Sequence, residues 1–309
     1  MCAKVAPGLT AEDRDSVVPG PAATSITAVS RAVDERIESE IDAESHLTAE
    51  GLKPGDRHHR AFVGRPDRYD LVSAMQFNLL AGLGLRETHR LLDIGCGSLR
   101  AVRLFIVYLL PGRYHGIEPE EWLVRDGVAH ESGSDLVELK QPRFAHNRDF
   151  SLGVFETDFD FLVAHSIFSR ASRQQIRTCL AEARKVMHPE SIFAATFLKA
   201  EQSYEGQDRV YPDCVGYKPS DMEAMAAEQG LGFRAIDWPH PNGQSWAIFH
   251  FPEKDMNFTP SPGETPAYRD ILTEDLENCR ARLTRIESHP YVRFGLALHR
   301  VFKTLRRKR

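Results

Sequence analysis

The stretch Leu91 to Arg100, with the sequence LLDIGCGSLR, constrains the fold of this chain more than any other segment. An apolar run leads into Asp93, two glycines follow, and a helical pattern resumes at Ser98, which indicates a strand, a tight turn and a helix. Glycine suits such a turn because a residue without a Cβ adopts positive φ and lets a ligand approach the backbone. The next apolar segment ends in Glu118, where a carboxylate can accept hydrogen bonds from a ribose diol. Together these features indicate a site for a nucleotide-type cofactor.

A dinucleotide-binding fold begins in the same way, but it has a third glycine at the position that Arg100 occupies here. The segments LLDIGCG (91–97) and GIEPE (116–120) instead resemble motifs I and II of the class I S-adenosylmethionine-dependent methyltransferases. The resemblance continues through residues 147–150 and 159–169 and covers about residues 57–251. It implies an α/β, Rossmann-like fold with a seven-stranded, mostly parallel sheet whose last strand is antiparallel. A nucleotide-binding fold that has lost or changed its chemistry is the alternative.

The resemblance also implies S-adenosyl-L-methionine as the cofactor and assigns residues to it. Gly95, Cys96 and Gly97 would form the turn that lies against the methionine and ribose portion of the cofactor. Asp93 would orient that portion through the turn amides or a water. Glu118 would bind both ribose hydroxyls. Asp149 would accept a hydrogen bond from the adenine amine, and Phe150 would flank the ring. Without the resemblance, Asp93 could cap the next helix and Glu118 could be a surface residue at a helix start.

The acceptor side depends on two histidines. His165 follows the fourth predicted strand, at the edge of a parallel sheet where ligands bind, and an imidazole titrates near neutral pH as a general base for an alcohol should. His240, in the loop HPNGQ, is a second candidate, with Gln244 as its hydrogen-bonding partner. For both, a structural role is the alternative. Other candidates are acceptor-pocket tyrosines (Tyr204, Tyr211, Tyr217) and lid residues before the first long helix (His58, His59, Arg60), which otherwise are surface residues.

The predicted reaction is methyl transfer to a hydroxyl of a small molecule or glycan by in-line displacement with general-base assistance. A natural-product N- or O-methyltransferase and a cofactor-binding scaffold without turnover are the alternatives. No metal is expected, because His165-Ser166 offers no clustered carboxylates at the end of the fourth strand.

Composition limits the classes of partner and the cellular compartment that are expected for this chain. A formal charge of −5 gives no argument for a nucleic-acid substrate. The five cysteines are odd in number and widely spread, without a CxxC pair, which favours a reducing cytoplasm over a disulfide framework or a zinc site. The sequence contains no apolar run of membrane-spanning length and no secretory signal pattern. Membrane contact, if there is any, is therefore peripheral.

The composition divides the chain into four parts. Residues 1–46 have the composition of a disordered tail, 47–251 form the methyltransferase domain, 252–267 are a Pro-rich linker, and 268–309 are a helical extension. The last twenty residues contain seven Lys or Arg and no Asp or Glu, opposite an apolar stripe. Such a basic amphipathic helix can lie on an anionic inner membrane face, or its stripe can dock on the protein's own body or on a second subunit of a homo-oligomer.

Periodicity places the elements of the domain. Strands are predicted at 90–94, 114–117, 143–145, 159–164 and 191–198, followed by a hairpin of 231–238 and 245–251. Helices are predicted at 67–83, 98–110, 122–130, 173–187 and 219–229. Leu71, Ala74, Met75, Phe77, Asn78 and Leu79 are expected to form the buried face of the first helix.

Overall fold

A computed structural model describes residues 47–254, 256, 280–282, 284–286 and 288. Its contacts divide the chain into the units 1–48 and 49–309, and the fold and the site belong to the second unit. The predicted tail lies outside the described residues. So does most of the predicted linker and helical extension, including the basic amphipathic end.

The second unit alternates strands and helices. The helices are α1 (His59–Phe62), α2 (Tyr69–Gly82), α3 (Val102–Tyr108), α4 (Glu121–Gly127), α5 (Ser134–Lys140), α6 (Arg173–Val186) and α7 (Pro219–Glu228), with short 3-10 turns at Pro66–Arg68 and Leu152–Phe155 and a π turn at Val128–Ser132. The strands are β1 (Leu91–Ile94), β2 (Tyr114–Ile117), β3 (Arg143–Ala145), β4 (Phe159–Ala164), β5 (Met187–Lys199), β6 (Gly216–Tyr217), β7 (Gly232–Ile236) and β8 (Ser245–His250).

The strands form one sheet in the order β3-β2-β1-β4-β5-β8-β7, with the short β6 paired to β5. Pairings from β3 to β5 are parallel, whereas β8 is antiparallel to both β5 and β7. This confirms the predicted Rossmann-like α/β fold and its antiparallel last strand, and adds the two-residue β6. From β1 the chain adds β2 and β3 on one side of the sheet and then β4 and β5 on the other, so the order of strands changes side between β1 and β4. Open α/β sheets bind ligands at such a point, at the carboxyl ends of their strands.

Helices cover both faces of the sheet, so successive residues of a central strand enter different cores. Leu92 and Ile94 pack in one apolar cluster with residues of α6 and α7, and Leu91 packs in the other with residues of α2 and α3. All four residues of β1 are buried. A parallel strand buried on both faces is therefore apolar almost throughout, and the Asp93 carboxylate is the exception in β1.

The predicted helix at 98–110 begins later than expected, at Val102, and ends at Tyr108, two residues before the predicted end. Leu99 has a φ of +63°, which lies in the left-handed region, so the helix cannot begin until the turn is complete.

The buried face of α2 differs from the prediction. Met75 and Leu79 are buried as predicted, Ala74 and Phe77 are half-buried, and Leu71 (54%) and Asn78 are exposed. Val72 and Leu80 are buried instead, as is Tyr69, whose hydroxyl donates to the Ser98 carbonyl across 2.9 Å.

Candidate functional site

The glycine turn after β1 lies against the end of β2. The amides of Gly95 and Cys96 both donate to the Ile117 carbonyl, across 2.7 and 3.1 Å. Gly95 and Gly97 have φ values of +78° and +57°. A Cβ on Gly95 would lie 2.2 Å from Ile167 Cδ1, and one on Gly97 would lie 2.8 Å from Val63 Cγ1. The positive φ of both residues favours glycine, and a Cβ at either position would also require the Ile167 or Val63 side chain to move.

Glu118 closes β2 and faces this turn. Its side chain is buried, Oε2 accepts from the Gly97 amide at 3.0 Å, and Oε1 accepts from the Glu120 amide at 3.0 Å. Burial raises the pKa of Glu118, and the two amide bonds oppose that shift. The carboxylate is thus held in place by backbone donors, while each oxygen keeps a further lone pair for a ligand.

Two cavities meet at the carboxyl ends of β1, β2 and β4. The histidine cavity, of about 260 Å³, contains Asp93, Gly97 and His165 in its wall, and the Phe150 cavity, of about 270 Å³, contains Asn147 and Phe150. Residues shared by both walls are Gly95, Glu118, Ile167 and Arg209. The two cavities therefore form one cleft, with the glycine turn and the Glu118 carboxylate at its centre.

The wall of the Phe150 cavity combines polar side chains, among them Asn147, Arg148 and Gln175, with apolar ones. Ile117, Pro119, Phe150 and Ala171 contribute to its wall. Asp149 is exposed and does not line it; its carboxylate accepts from the Asn147 amide group and from the backbone and hydroxyl of Ser151. The bonds from Asn147 and Ser151 lower the pKa of Asp149 to about 2. In this structure Asp149 holds the loop that presents Phe150.

Asp93 is buried in the wall of the histidine cavity, and Tyr114 donates its hydroxyl to Asp93 Oδ2 at 2.9 Å. Burial raises the pKa of Asp93 to about 7, although the Tyr114 bond and Arg100 favour the ionised form. The adjacent Cys96 thiol is also buried, and burial raises its pKa. A raised pKa makes the thiol a poor nucleophile, so Cys96 fills space in the turn.

The structure brings the two predicted histidines together. Their rings stack with centroids 5.1 Å apart, and the two Nε2 atoms are 2.8 Å apart. Burial, aided by the Arg100 charge, lowers the pKa of His165 well below its usual value and that of His240 to about 4. Both rings are therefore neutral at pH 7, which departs from the expected titration near neutrality and has its cause in burial.

Obligate donors flank this pair. Arg100 Nη2 is 3.0 Å from His165 Nδ1, and the Asn242 amide donates to His240 Nδ1 at 3.1 Å. If both Nδ1 atoms accept, both Nε2 atoms carry hydrogens and point at each other. Two neutral imidazoles can therefore satisfy only two of the three contacts, which are the Arg100–His165, Asn242–His240 and Nε2–Nε2 contacts. A ligand oxygen that accepts a hydrogen bond from one Nε2–H would replace the unsatisfied Nε2–Nε2 contact.

Gln244 does not contact His240 as expected; its Nε2 donates to Ser166 Oγ at 2.7 Å. Of the three tyrosines, Tyr211 lines the histidine cavity. Tyr204 and Tyr217 instead donate to the carbonyls of Asp208 and Ala171 and support the segment around β6.

The lid candidates flank the histidine cavity from α1. His59 is buried rather than on the surface, and its ring contacts Glu131 Oε1 at 3.0 Å. Arg60 forms a bidentate interaction with the same Glu131 carboxylate. Phe62 and Val63, at the end of α1, form part of the cavity wall. The Tyr211 hydroxyl donates to the Phe62 carbonyl at 2.5 Å, which ties this segment to the far side of the cleft.

Sequence reasoning missed the arginines of the histidine cavity: Arg100, Arg170 and Arg209 all line it. Arg100 could have been singled out, since it stands where a dinucleotide fold has glycine. Arg170 and Arg209 are 39 residues apart in the sequence and meet only through tertiary structure.

Within the part of the chain that the structure describes, no group of three or more His, Cys, Asp or Glu side chains could hold a metal ion. No described helix is both long and apolar enough to cross a bilayer.

No family model and no curated protein matches the chain. Among solved structures, it is similar to DesVI of Streptomyces venezuelae, with 13% identity, 62% of this chain and 94% of that chain covered, and a TM-score of 0.46. It is also similar to the magnesium protoporphyrin IX methyltransferase of Synechocystis PCC 6803 with bound S-adenosylmethionine (12% identity, 75% and 100% covered, TM-score 0.46). A third is the CcbJ methyltransferase of Streptomyces caelestis (15% identity, 61% and 91% covered, TM-score 0.45). These identities and TM-scores are low, so the functional conclusion rests on the side chains of this chain.

Proposed function

We propose that this chain is a class I S-adenosylmethionine-dependent methyltransferase. The observation that carries the proposal is the cleft itself, in which the Phe150 cavity and the histidine cavity meet at Gly95 and Glu118. An adenine ring suits the Phe150 cavity, and a ribose diol suits the Glu118 carboxylate at the junction. The methionine portion then extends past Gly97 and Asp93 into the histidine cavity. Each residue assigned from the sequence to the cofactor turn or to the ribose lies on that path.

The proposed acceptor is a hydroxyl of a small molecule or glycan. The bound cofactor would supply an electrophilic methyl group on a good leaving group, so the protein has to align the acceptor and take its proton. His165 lies in the cavity wall as a neutral imidazole, with Arg100 at its Nδ1 and His240 at its Nε2. To accept that proton it has to release one of these two contacts when the acceptor binds, because a neutral imidazole has only one acceptor nitrogen. Its lowered pKa makes it a weak base, so proton removal would accompany methyl transfer instead of preceding it.

Incubation with S-adenosylmethionine labelled in its methyl group tests the proposal. We expect label to pass into an acceptor in at least one fraction of a small-molecule and glycan extract, with release of S-adenosylhomocysteine. His165→Ala should lower the rate, and the surface control His188→Ala should not. Binding of the cofactor without transfer to any fraction would instead favour a scaffold without turnover.

A further inference from the structure

Three cationic side chains line the histidine cavity, and the carboxylates of the same wall form no ion pair with them. Arg100, Arg170 and Arg209 lie in its wall, and none forms an ion pair with any residue in the described part of the chain. Other arginines of the same fold do have such partners: Arg173 pairs with Asp221 at 2.7 Å and Arg177 with Glu228 at 2.6 Å. What distinguishes Arg100, Arg170 and Arg209 is that three cations, unpaired among the described residues, line one cavity together.

Two of these guanidinium groups carry buried nitrogen atoms that have no hydrogen-bond partner. They are Arg100 Nε and Arg170 Nε. A buried donor without an acceptor costs free energy, more so when it belongs to a charged group. Arg173 Nε, outside both cavities, is a third such atom, so an unpartnered nitrogen alone does not indicate a ligand. Those of Arg100 and Arg170 belong to residues of a cavity wall, where a ligand or a water can supply the missing acceptor.

Arg170 and Arg209 are held next to each other. The Val210 amide donates to the Arg170 carbonyl at 2.9 Å, which joins the segment after β4 to the segment before β6. The Arg170 and Arg209 guanidinium carbons lie 4.7 and 5.7 Å from the centroid of the same Tyr211 ring. The ring attracts both cations, but it does not cancel their mutual repulsion.

A bound cofactor would not balance these charges. Asp93 and Glu118 face the three arginines, while the third acidic residue of the wall, Glu120, already pairs with Arg148 at 3.1 Å. S-Adenosylmethionine adds a sulfonium and an ammonium group, and only one carboxylate. With that cofactor in place, the cavity has an excess of about two positive charges next to the acceptor, and like charges in a partly buried site repel strongly.

We propose that the methyl acceptor is anionic, and that Arg170 and Arg209 bind its carboxylate or phosphate group while its hydroxyl faces His165. This inference rests on the proposed methyltransferase function. Guanidinium groups bind both kinds of oxyanion through paired N–H···O bonds, so a uronic acid and a sugar phosphate have the chemistry required.

Calorimetric titration of the full chain, preloaded with S-adenosylhomocysteine, tests the proposal with four probes: glucuronate, glucose 6-phosphate, inorganic phosphate and neutral glucose. We expect at least one anion to bind ten times more tightly than glucose. Preference for glucuronate would identify a carboxylate acceptor, and preference for the two phosphates a phosphorylated one.

Two variants test whether the arginines cause the preference for an anion over glucose. Arg170→Gln and Arg209→Gln should each weaken binding of the preferred anion at least tenfold, and the exposed control Arg125→Gln should not change it. Arg209 is exposed, so its variant tests the site without disturbing the interior.

Equal affinity for the anions and glucose, or anion affinity unchanged in both variants, would overturn the proposal. Failure of the wild-type protein to bind S-adenosylhomocysteine at all would overturn the proposed function instead, so the two failures are distinguishable.

Discussion

At the scale of single residues, the site depends on charges held in a buried environment. Asp93 is the only acidic residue of β1 and lies under the glycine turn, where burial raises its pKa to about 7. A group whose pKa is higher in the folded state binds more protons there than in the unfolded chain. Its contribution to the free energy of unfolding is therefore greatest at low pH and is lost as the pH rises towards 7.

Asp93→Asn should stabilise the ligand-free protein at high pH. Asparagine still accepts from the Tyr114 hydroxyl, but it has no charge to bury. Its advantage over the wild type should grow from about pH 4 to pH 7 and then stay constant, with an upper limit of about 4 kcal/mol for a shift of about three pKa units. Urea unfolding at several pH values measures this difference. The exposed control Asp70→Asn should show no such trend, and a constant advantage at all pH values would contradict the assignment.

His165→Ala should lower kcat by about 10²- to 10⁴-fold, as expected for loss of a general base. The affinity for S-adenosylhomocysteine should change little. Because burial lowers the pKa of His165 below its usual 6.5, the wild-type rate should not depend on pH from about 6.5 upward. Steady-state rates between pH 5 and pH 9 check this. A rate that still rises between pH 7 and pH 8 would mean that another group is the base.

At the scale of elements, the short helix α1 forms one wall of the cleft and is held by one carboxylate. The Glu131 side chain is 2% exposed and contacts His59, Arg60 and Arg103. Burial opposes ionisation of Glu131, yet the bonds from His59 and Arg60 keep its pKa below the usual value. This ion cluster connects α1 to the π turn after α4, and through Phe62 and Val63 it shapes the histidine cavity.

Glu131→Gln should release α1 from the body of the protein. Loss of one partner from a buried ionic cluster costs about 3 kcal/mol. We expect faster cleavage by trypsin after Arg57, Arg60 or Arg65, and a fivefold to tenfold loss of affinity for S-adenosylhomocysteine. The exposed variant Glu138→Gln is the matched control. Unchanged proteolysis in Glu131→Gln would show that other contacts hold α1.

The elements also show what sequence can predict here. Strands β1, β2 and β4 fall where periodicity places them, because buried parallel strands are short apolar runs. Strand β3 also falls at its predicted position, although none of its residues is buried. The late start of α3 was not predictable, since it depends on the left-handed Leu99. The helix α5 and the strand β6 were missed; α5 has no buried residue and therefore little apolar periodicity. The arginine cluster was missed because it forms between distant segments.

At the scale of the whole molecule, the cleft and the histidine pair are built from one part of the chain. Every residue in the walls of the two cavities lies between Phe62 and Tyr211, and the loop that carries His240 follows. Both apolar clusters of the core also lie within residues 72–256.

A chain trimmed to residues 47–256 should therefore keep the cofactor site. We expect its affinity for S-adenosylhomocysteine to be within about twofold of that of the full chain, since no wall residue is removed. Side-by-side calorimetry of the two proteins measures this. A tenfold loss in the trimmed protein would show that residues outside 47–256 contribute to the site.

Titration of the full chain with S-adenosylhomocysteine in a calorimeter tests the central claim most directly. We expect one ligand per chain and a dissociation constant in the micromolar range or tighter. Glu118→Ala should abolish the heat, and the adjacent exposed variant Glu121→Ala should retain it. No heat and no thermal protection at saturating ligand in the wild type, or equal binding by Glu118→Ala, would contradict the assignment of this cleft to S-adenosylmethionine.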